Sequence, residues 1–513
     1  MRIRVGTVLG LASAAAALGV AHLLAGLVGR AESSPVLAVG SATIDLVPRW
    51  LKEFAIDTFG TADKLVLLIG IVVVVAVLAV VVGVASVRRP EIGFASLALA
   101  GAIGVIAALS RPSAQPIDAL PALVGAAAGA MTLRLLHRRL FGQASNTESD
   151  RIAPTSLDGV SRRRFLAGGA VALGVAAAAG VTGQFLSRRS QAVASRARVG
   201  VPSTVASAAP VPAGAELGID GLSPFTTPNA DFYRIDTALL VPTMTAEEWR
   251  LRVHGMVDQE LTIDFEQLQA RPLIERDVTL ACVSNEVGGD LIGNARWVGA
   301  PIADVLADVG VDPAATQLVS TSVDGFTVGT PVSALTDGRD AMLAFAMNGE
   351  PLPIEHGFPV RMVVPGLYGY VSATKWVVDF ELTTFEAFDP YWVRRGWAEQ
   401  APIKTQSRID TPRSGGQVQA GEVVVAGMAW AQHVGIARVE VRADDGEWAE
   451  AELAEEDTID TWRQWKLTIR LGRGARRLQV RATDAEGVTQ PESRAEPFPD
   501  GAAGWHSVLI DVA

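Results

Sequence analysis

Thr279-Leu280-Ala281-Cys282-Val283-Ser284-Asn285-Glu286-Val287-Gly288-Gly289 is the stretch on which this chain turns. Thr279–Ala281 closes an apolar, strand-like run, and Cys282 stands where that run opens into a glycine-bearing loop. A free cysteine is most often a small, inert core residue, but one at the mouth of such a loop is placed for a ligand to approach. Cys282 is the only cysteine, so neither an intramolecular disulfide nor a cysteine-based zinc cluster can form. As a nucleophile it would want a general base, and no histidine lies near it in sequence. As a soft thiolate it could instead ligate a metal centre whose other ligands come from a cofactor. The six histidines are scattered, with no pair at helical metal-ligand spacing.

Around this stretch the texture changes along the chain. The 513 residues are 49% hydrophobic and 19% charged, which excludes a disordered chain and argues against a purely soluble one. Residues 1–200 hold 20 Lys+Arg against 10 Asp+Glu, and the remainder holds 24 against 45. A basic, apolar first part and an acidic second part fit a membrane region, 1–187, joined to soluble domains. The acidic part also argues against nucleic acid as a partner. A bilayer takes about 20 apolar residues of helix to cross. Gly6–Gly29, Leu65–Val87, Gly93–Ser110, Ala119–Leu133 and Phe165–Ser187 give about five such helices. Arg2, Arg4, Arg88, Arg89, Arg134, Arg138, Arg139 and Arg162–Arg164 all fall on the cytoplasmic side if the N-terminus is inside, leaving everything after Ser187 outside. Arg188, Arg189, Arg196 and Arg198 run against that rule.

Residues 188–215, rich in Ser, Ala, Pro and Arg, read as a flexible linker. Residues 216–400 mix short apolar runs with Gly and Pro and read as an α+β domain. Helices are expected at Thr245–Arg250, capped by Thr245, and at Ile302–Val309, with strands at Leu251–Val257 and Val360–Val364. Residues 401–513 turn all-β: Glu422–Ala426, Ala437–Arg442, Trp465–Leu471 and Arg477–Ala482 are strand-like and bounded by turn signals. Their spacing fits a small immunoglobulin-like sandwich, with packing or association as its task.

Several ordered stretches between Leu217 and Ala513 resemble the molybdopterin-binding oxidoreductases of the sulfite oxidase family. Thr279–Asn285 is similar to that family's Thr-Leu-x-Cys-x-x-Asn loop, and Gly293-Asn294-Ala295-Arg296-Trp297-Val298-Gly299 to the segment that follows it. Met347–Pro353, His356–Arg361, Val363–Gly366, Lys375-Trp376 and Trp505-His506 continue the match in the family's order. The resemblance implies Mo-molybdopterin as cofactor, with Cys282 as the sole protein ligand to molybdenum. It implies that His356, Arg361 and Lys375 hold the pterin and its phosphate. Ser372 and Thr374 lie in the loop before Lys375, whose backbone N–H groups could face that phosphate. Asn229–Arg234 resembles the N-terminal cofactor loop, so that Asn229 and Tyr233 join Asn285 as cofactor contacts and Arg234 is an anion-binding arginine beside the metal. Asp324 is a further contact by the same likeness. Ser161-Arg162-Arg163-Arg164-Phe165-Leu166 resembles the twin-arginine export motif, whose pathway carries folded proteins.

Two departures bear on substrate. Where sulfite oxidases carry two arginines after the loop asparagine, this chain has Glu286 and Val287; where they carry a tyrosine after Trp-x-Arg-Arg-Asp, it has Trp397 after Trp392–Gly396. The expected activity is therefore two-electron oxygen-atom transfer on a small, unspecified substrate outside the cytoplasm. No haem-binding Cys-x-x-Cys-His occurs, so electrons pass to a separate protein or a quinone. Homodimerisation through the C-terminal domain is implied. The alternatives are a sulfoxide-type reductase fed by membrane electrons, and a non-catalytic, membrane-tethered binding protein.

Overall fold

Apolar residues dominate the first 140 positions without an amphipathic rhythm, and they form long helices in the computed structural model. The structure describes residues 2–28, 33–47, 63–111, 114–141, 188–238 and 240–513, with a few positions between 51 and 59. It divides into two compact units, Met1–Ser190 and Gln191–Ala513. In the first unit, four helices among the described residues are long and apolar enough to cross a membrane: Ile3–Leu27, Val66–Ser86, Pro90–Leu109 and Pro116–Arg138. They fall on four of the five runs expected. A shorter helix not anticipated, Pro35–Leu46, follows the first. Gly6 and Gly10 on one helix meet Gly83 on another so closely that no side chain would fit, the usual way for apolar helices to pack without a hydrophobic drive between them. The fifth expected crossing, Phe165–Ser187, and the motif at Ser161–Leu166 lie outside the described residues.

In the second unit the α+β domain has ten strands among the described residues. They are β1 (Arg250–Gly255), β2 (Leu261–Asp264), β3 (Ile274–Ala281), β4 (Ile292–Pro301), β5 (Gln317–Ser322), β6 (Thr327–Pro331), β7 (Met342–Met347), β8 (Glu350–Pro351), β9 (Arg361–Val363) and β10 (Val377–Thr383). One sheet runs β2-β1-β10-β5-β6, with β1 and β10 parallel; the other runs β3-β4-β7-β8, with β9 also on β7. β7 is buried along its whole length, so its sequence, Met-Leu-Ala-Phe-Ala-Met, carries no polar face. Helix Ile302–Val309 forms as expected because Ile302, Val305, Leu306 and Val309 share one buried face, and Gly310 at φ 64° ends it. Thr245 does exchange hydrogen bonds with Glu248, its N–H going to the carboxylate and its hydroxyl accepting the Glu248 N–H. The expected helix is nevertheless a single turn, because buried Trp249 leads directly into β1.

The linker expectation is corrected. Residues 188–198 are helical, and Ala192, Ser195 and Val199, at i, i+3 and i+7, turn one face onto the domain core. Ser195 donates to Glu247 at 2.7 Å, and Arg196 donates to the carbonyls of Pro351 and Leu352. Val205 then donates to the Leu273 carbonyl, and Ala206 bridges Ile274, covering the outer edge of β3. Short alanine spacing inside a basic, serine-rich stretch concealed this docked face.

The C-terminal region is a two-sheet β-sandwich. One sheet is β11 (Gln406–Thr411), β13 (Gly421–Trp430), β17 (Arg463–Leu471) and β16 (Glu452–Leu453); the other is β12 (Gln417–Val418), β19 (His506–Val512), β18 (Gly474–Asp484), β14 (Ile436–Ala443) and β15 (Ala449–Glu450). Val508, Ile510 and Val512 alternate inward along β19, beside Leu478 and Val480 of neighbouring β18 in the same core. Met428, Trp430 and Trp462, by contrast, belong to the core of the preceding domain. The two domains are therefore fused by packing, and the sandwich reaches the cysteine strand.

Candidate active site

β3 delivers Cys282 at its end, and the loop after it is closed by its own backbone. The Cys282 N–H donates to the Leu291 carbonyl at 2.9 Å, and the Asn285 N–H returns to the Cys282 carbonyl at 3.0 Å. Asn285 Oδ1 accepts the Leu291 N–H at 2.9 Å, so this side chain braces the loop. Gly288, at φ 83°, lies against the His506 imidazole with no room for a side chain. Arg408 of the sandwich donates to the Gly289 carbonyl at 2.7 Å. Behind the loop, Thr279 Oγ1 donates to Asn294 Oδ1 at 3.0 Å and accepts the Trp462 N–H at 2.8 Å, while the Thr279 N–H donates to the Asp460 carbonyl. The thiol is held from both domains.

Burial pushes the Cys282 thiol up, while hydrogen bonds from the Ser284 backbone and hydroxyl and the charge of Lys375 pull it down. Tyr233 lies within electrostatic reach of both Cys282 and Arg361; burial, with the thiol beside it, holds its phenol strongly protonated. Arg361 is 5% exposed, and its guanidinium lies 5.0 Å over the Trp297 ring. Its hydrogen bonds go to the main-chain carbonyls of Met362, His356 and Ala373 at 3.2–3.5 Å. No carboxylate pairs with it among the described residues, and burial lowers its pKa to about 10. His356 donates to the Asn229 carbonyl at 3.1 Å; burial, with Arg361 and Lys375 adding to it, lowers its pKa to about 4. Lys375 is likewise lowered, to about 8, chiefly by burial, with Asp236 opposing the shift.

Cys282, Tyr233, His356, Arg361 and Lys375 are thus brought into one electrostatic neighbourhood, with Arg234 joined to it through Asp236. The side chains of the remaining expected residues make contacts within the chain. Asn229 ties its loop to β7 and β8 through the Met347 carbonyl, Asn348 and Glu350. Ser372 donates to the Leu367 and Tyr368 carbonyls, and Thr374 bonds Ser320 at 2.6 Å, so both hydroxyls shape the loop before Lys375. Asp324 caps the turn between β5 and β6 by accepting the Phe326 N–H at 3.3 Å, and its neighbour Val323 donates to the Trp376 carbonyl. The residue that sequence reasoning missed is Asp236. Its Oδ2 accepts from Arg234 Nε at 2.8 Å and Lys375 Nζ at 3.1 Å. An acid two positions after the anion-binding arginine was the available signal.

Residues 238–392 match the family described as the oxidoreductase molybdopterin binding domain, and 398–512 match the Mo-co oxidoreductase dimerisation domain. The "Uncharacterized oxidoreductase YuiH" of Bacillus subtilis (strain 168) is 34% identical over 150 residues, 29% of this chain and 72% of that protein. The chain belongs to the molybdopterin-binding oxidoreductases. The mitochondrial sulfite oxidase of Rattus norvegicus is 31% identical over 340 residues, covering 56% of this chain and 62% of that relative. This chain thus spans less than two thirds of the length of the sulfite oxidase. Among solved structures, the sulfane dehydrogenase SoxCD from Paracoccus pantotrophus aligns with a TM-score of 0.49 at 24% identity, over 58% of this chain and 85% of that one.

Mo-molybdopterin is the cofactor of this oxidoreductase family, and the residues present fit it. The single thiol suits a centre whose other ligands the cofactor brings. Arg361, buried with no carboxylate on it among the described residues, has the charge and the planar donors to hold an anion such as a pterin phosphate. Among the described residues no cluster of three or more His, Cys, Asp or Glu offers a competing all-protein metal site.

Proposed function

We propose that this chain is a membrane-anchored, molybdenum cofactor-dependent oxidoreductase that transfers an oxygen atom to or from a small substrate with a two-electron change. The observation that carries it is the buried Arg361 guanidinium, bonded only to carbonyls, in the same neighbourhood as the Cys282 thiol. Cys282 would ligate the metal, and Arg361, Lys375 and His356 would hold the pterin and its phosphate. When bound, the cofactor supplies the redox couple and oxygen exchange with water. The protein supplies the rest: Tyr233 stays neutral, His356 stays unprotonated near neutral pH, and Arg234, 39% exposed, is the cation that faces solvent and substrate.

Four apolar helices support the anchor. The arginines at positions 2, 4, 88, 89, 134, 138 and 139 support a cytoplasmic N-terminus, and with the export-like motif at Ser161–Leu166 they support an extracytoplasmic catalytic domain. Electrons would leave through a separate protein or a quinone, and the dimerisation-type sandwich, immunoglobulin-like in strand spacing, would pair two copies. Metal and pterin analysis tests this reading. The full chain, purified from a molybdenum-competent host, should hold about one molybdenum and one pterin, the ratio that one thiol ligand allows. Cys282→Ala should keep the fold and lose turnover; full activity in that variant would remove the ligand role.

A further inference from the structure

We infer that Asp236 sets the charge of the substrate seat, so that the site takes uncharged small substrates and rejects small oxyanions. The inference rests on the oxidoreductase reading above and deepens it. Asp236 is 5% exposed in its side chain, and a single oxygen, Oδ2, accepts from both Arg234 and Lys375. Arg234 is the cation open to solvent; Lys375 is 10% exposed and Arg361 is buried. An incoming oxyanion would therefore meet, beside the guanidinium it needs, a buried carboxylate already using that charge. The cysteine loop adds no compensating cation: it presents Glu286 and Val287, with the Glu286 carboxylate 3.6 Å from Arg494. Arg361 is committed to the cofactor phosphate under the reading above. Specificity built on such a repulsive element rejects the wrong charge more strongly than extra contacts favour the right one. An uncharged oxo compound, or an uncharged sulfur or nitrogen oxygen acceptor, needs no free cation and can take a hydrogen bond from an Arg234 N–H that Asp236 leaves over.

The test uses the full-length protein in detergent, loaded with cofactor, and reads anion binding separately from turnover. Molybdenum and pterin content are measured first; their absence would refute the oxidoreductase reading and leave the charge argument without its site. In loaded protein, calorimetric titration with sodium sulfate at fixed ionic strength should show no saturable binding to the wild type. Asp236→Asn should bind sulfate at least about tenfold more tightly, and its KM for sulfite relative to dimethyl sulfoxide should fall by a similar factor with little change in kcat. Asp236→Glu, which keeps the charge, should behave as the wild type. Saturable sulfate binding to the wild type at the affinity of Asp236→Asn would overturn the inference. So would an Asp236→Asn protein that is loaded and folded yet no better at binding sulfate. If Asp236→Asn fails to fold, Asp236→Ala takes its place in the same titration, and a folded, loaded Asp236→Ala that binds sulfate no better than the wild type overturns the inference.

Discussion

Arg361 carries a full positive charge into a place where, among the described residues, no carboxylate meets it. Carbonyl dipoles and the Trp297 face offset part of the desolvation, but such a charge is costly without a counter-ion. Arg361→Met should therefore act in opposite directions on stability and on loading. Without cofactor, the variant should melt at the wild-type temperature or above it, because an apolar chain of similar length replaces an unpaired cation. Its pterin content after expression in a competent host should fall to about a tenth or less, the loss of one strong charge-assisted contact. Thermal scans and pterin assays on the same preparations check both halves. Undiminished pterin content would remove Arg361 from the phosphate seat.

At the scale of elements, β3 is decisive because both of its edges are occupied. β4 pairs along one side, and on the other the Ala206 bridge and the Asp460 carbonyl take up the free backbone. Thr279 is the pin between the two domains. Thr279→Val would leave Asn294 Oδ1 and the Trp462 N–H without this partner, at roughly 1–3 kcal/mol for each buried group. Chemical denaturation should show a lower midpoint for the whole soluble part in one transition; a selective loss of one domain would contradict the coupling. Arg408 and Asp410, 9% and 5% exposed, form a second pin beneath Gly289. Arg408→Met should destabilise by roughly 3 kcal/mol, because the buried Asp410 carboxylate loses its cation and keeps the Ser223 N–H. This is also the scale at which the sequence was hardest to read. The strand ending at Cys282, the amphipathic helix Ile302–Val309 and the alternating strands of the sandwich were legible because their periodicity is local. The docking of residues 188–206 and the clamp from Asp460 and Trp462 were not, because their partners lie about 70 to 180 positions away and leave no periodic trace. At the site, the cations Arg234, Arg361 and Lys375 stood out in sequence, whereas Asp236, which joins two of them, did not. The side chains of Asn285 and Ser372 brace their own loops and that of Thr374 bonds Ser320 on β5, contacts that only geometry can reveal.

For the whole molecule, one buried histidine, His356, and one half-buried, His506, make the second unit sensitive to acid. His356 and His506 each have a pKa lowered to about 4, the first mainly by burial with Arg361 and Lys375 adding, the second by burial with Arg408 adding. In the unfolded chain both take a proton near pH 6.5, so between about 6.5 and 4 the unfolded state binds more protons. Stability is then fully present above pH 6.5 and falls as pH drops toward 4, by up to about 1.4 kcal/mol per unit for each histidine. Thermal unfolding of the cofactor-free chain between pH 7 and 4 should show that slope, and His506→Gln should flatten it. A melting temperature independent of pH across this window would contradict the burial of both rings.

The fused core has a consequence for biosynthesis. Thr279 and Cys282 leave the ribosome long before Trp462, yet the N–H and hydroxyl of Thr279 do not meet their partners from the sandwich until Asp460 and Trp462 arrive. Maturation of the thiol's surroundings must wait until Trp462, 180 residues after Cys282, has been made. A messenger cut short before Asp460 would leave a centre that cannot be assembled, even though Cys282, Arg361 and Lys375 have already been made.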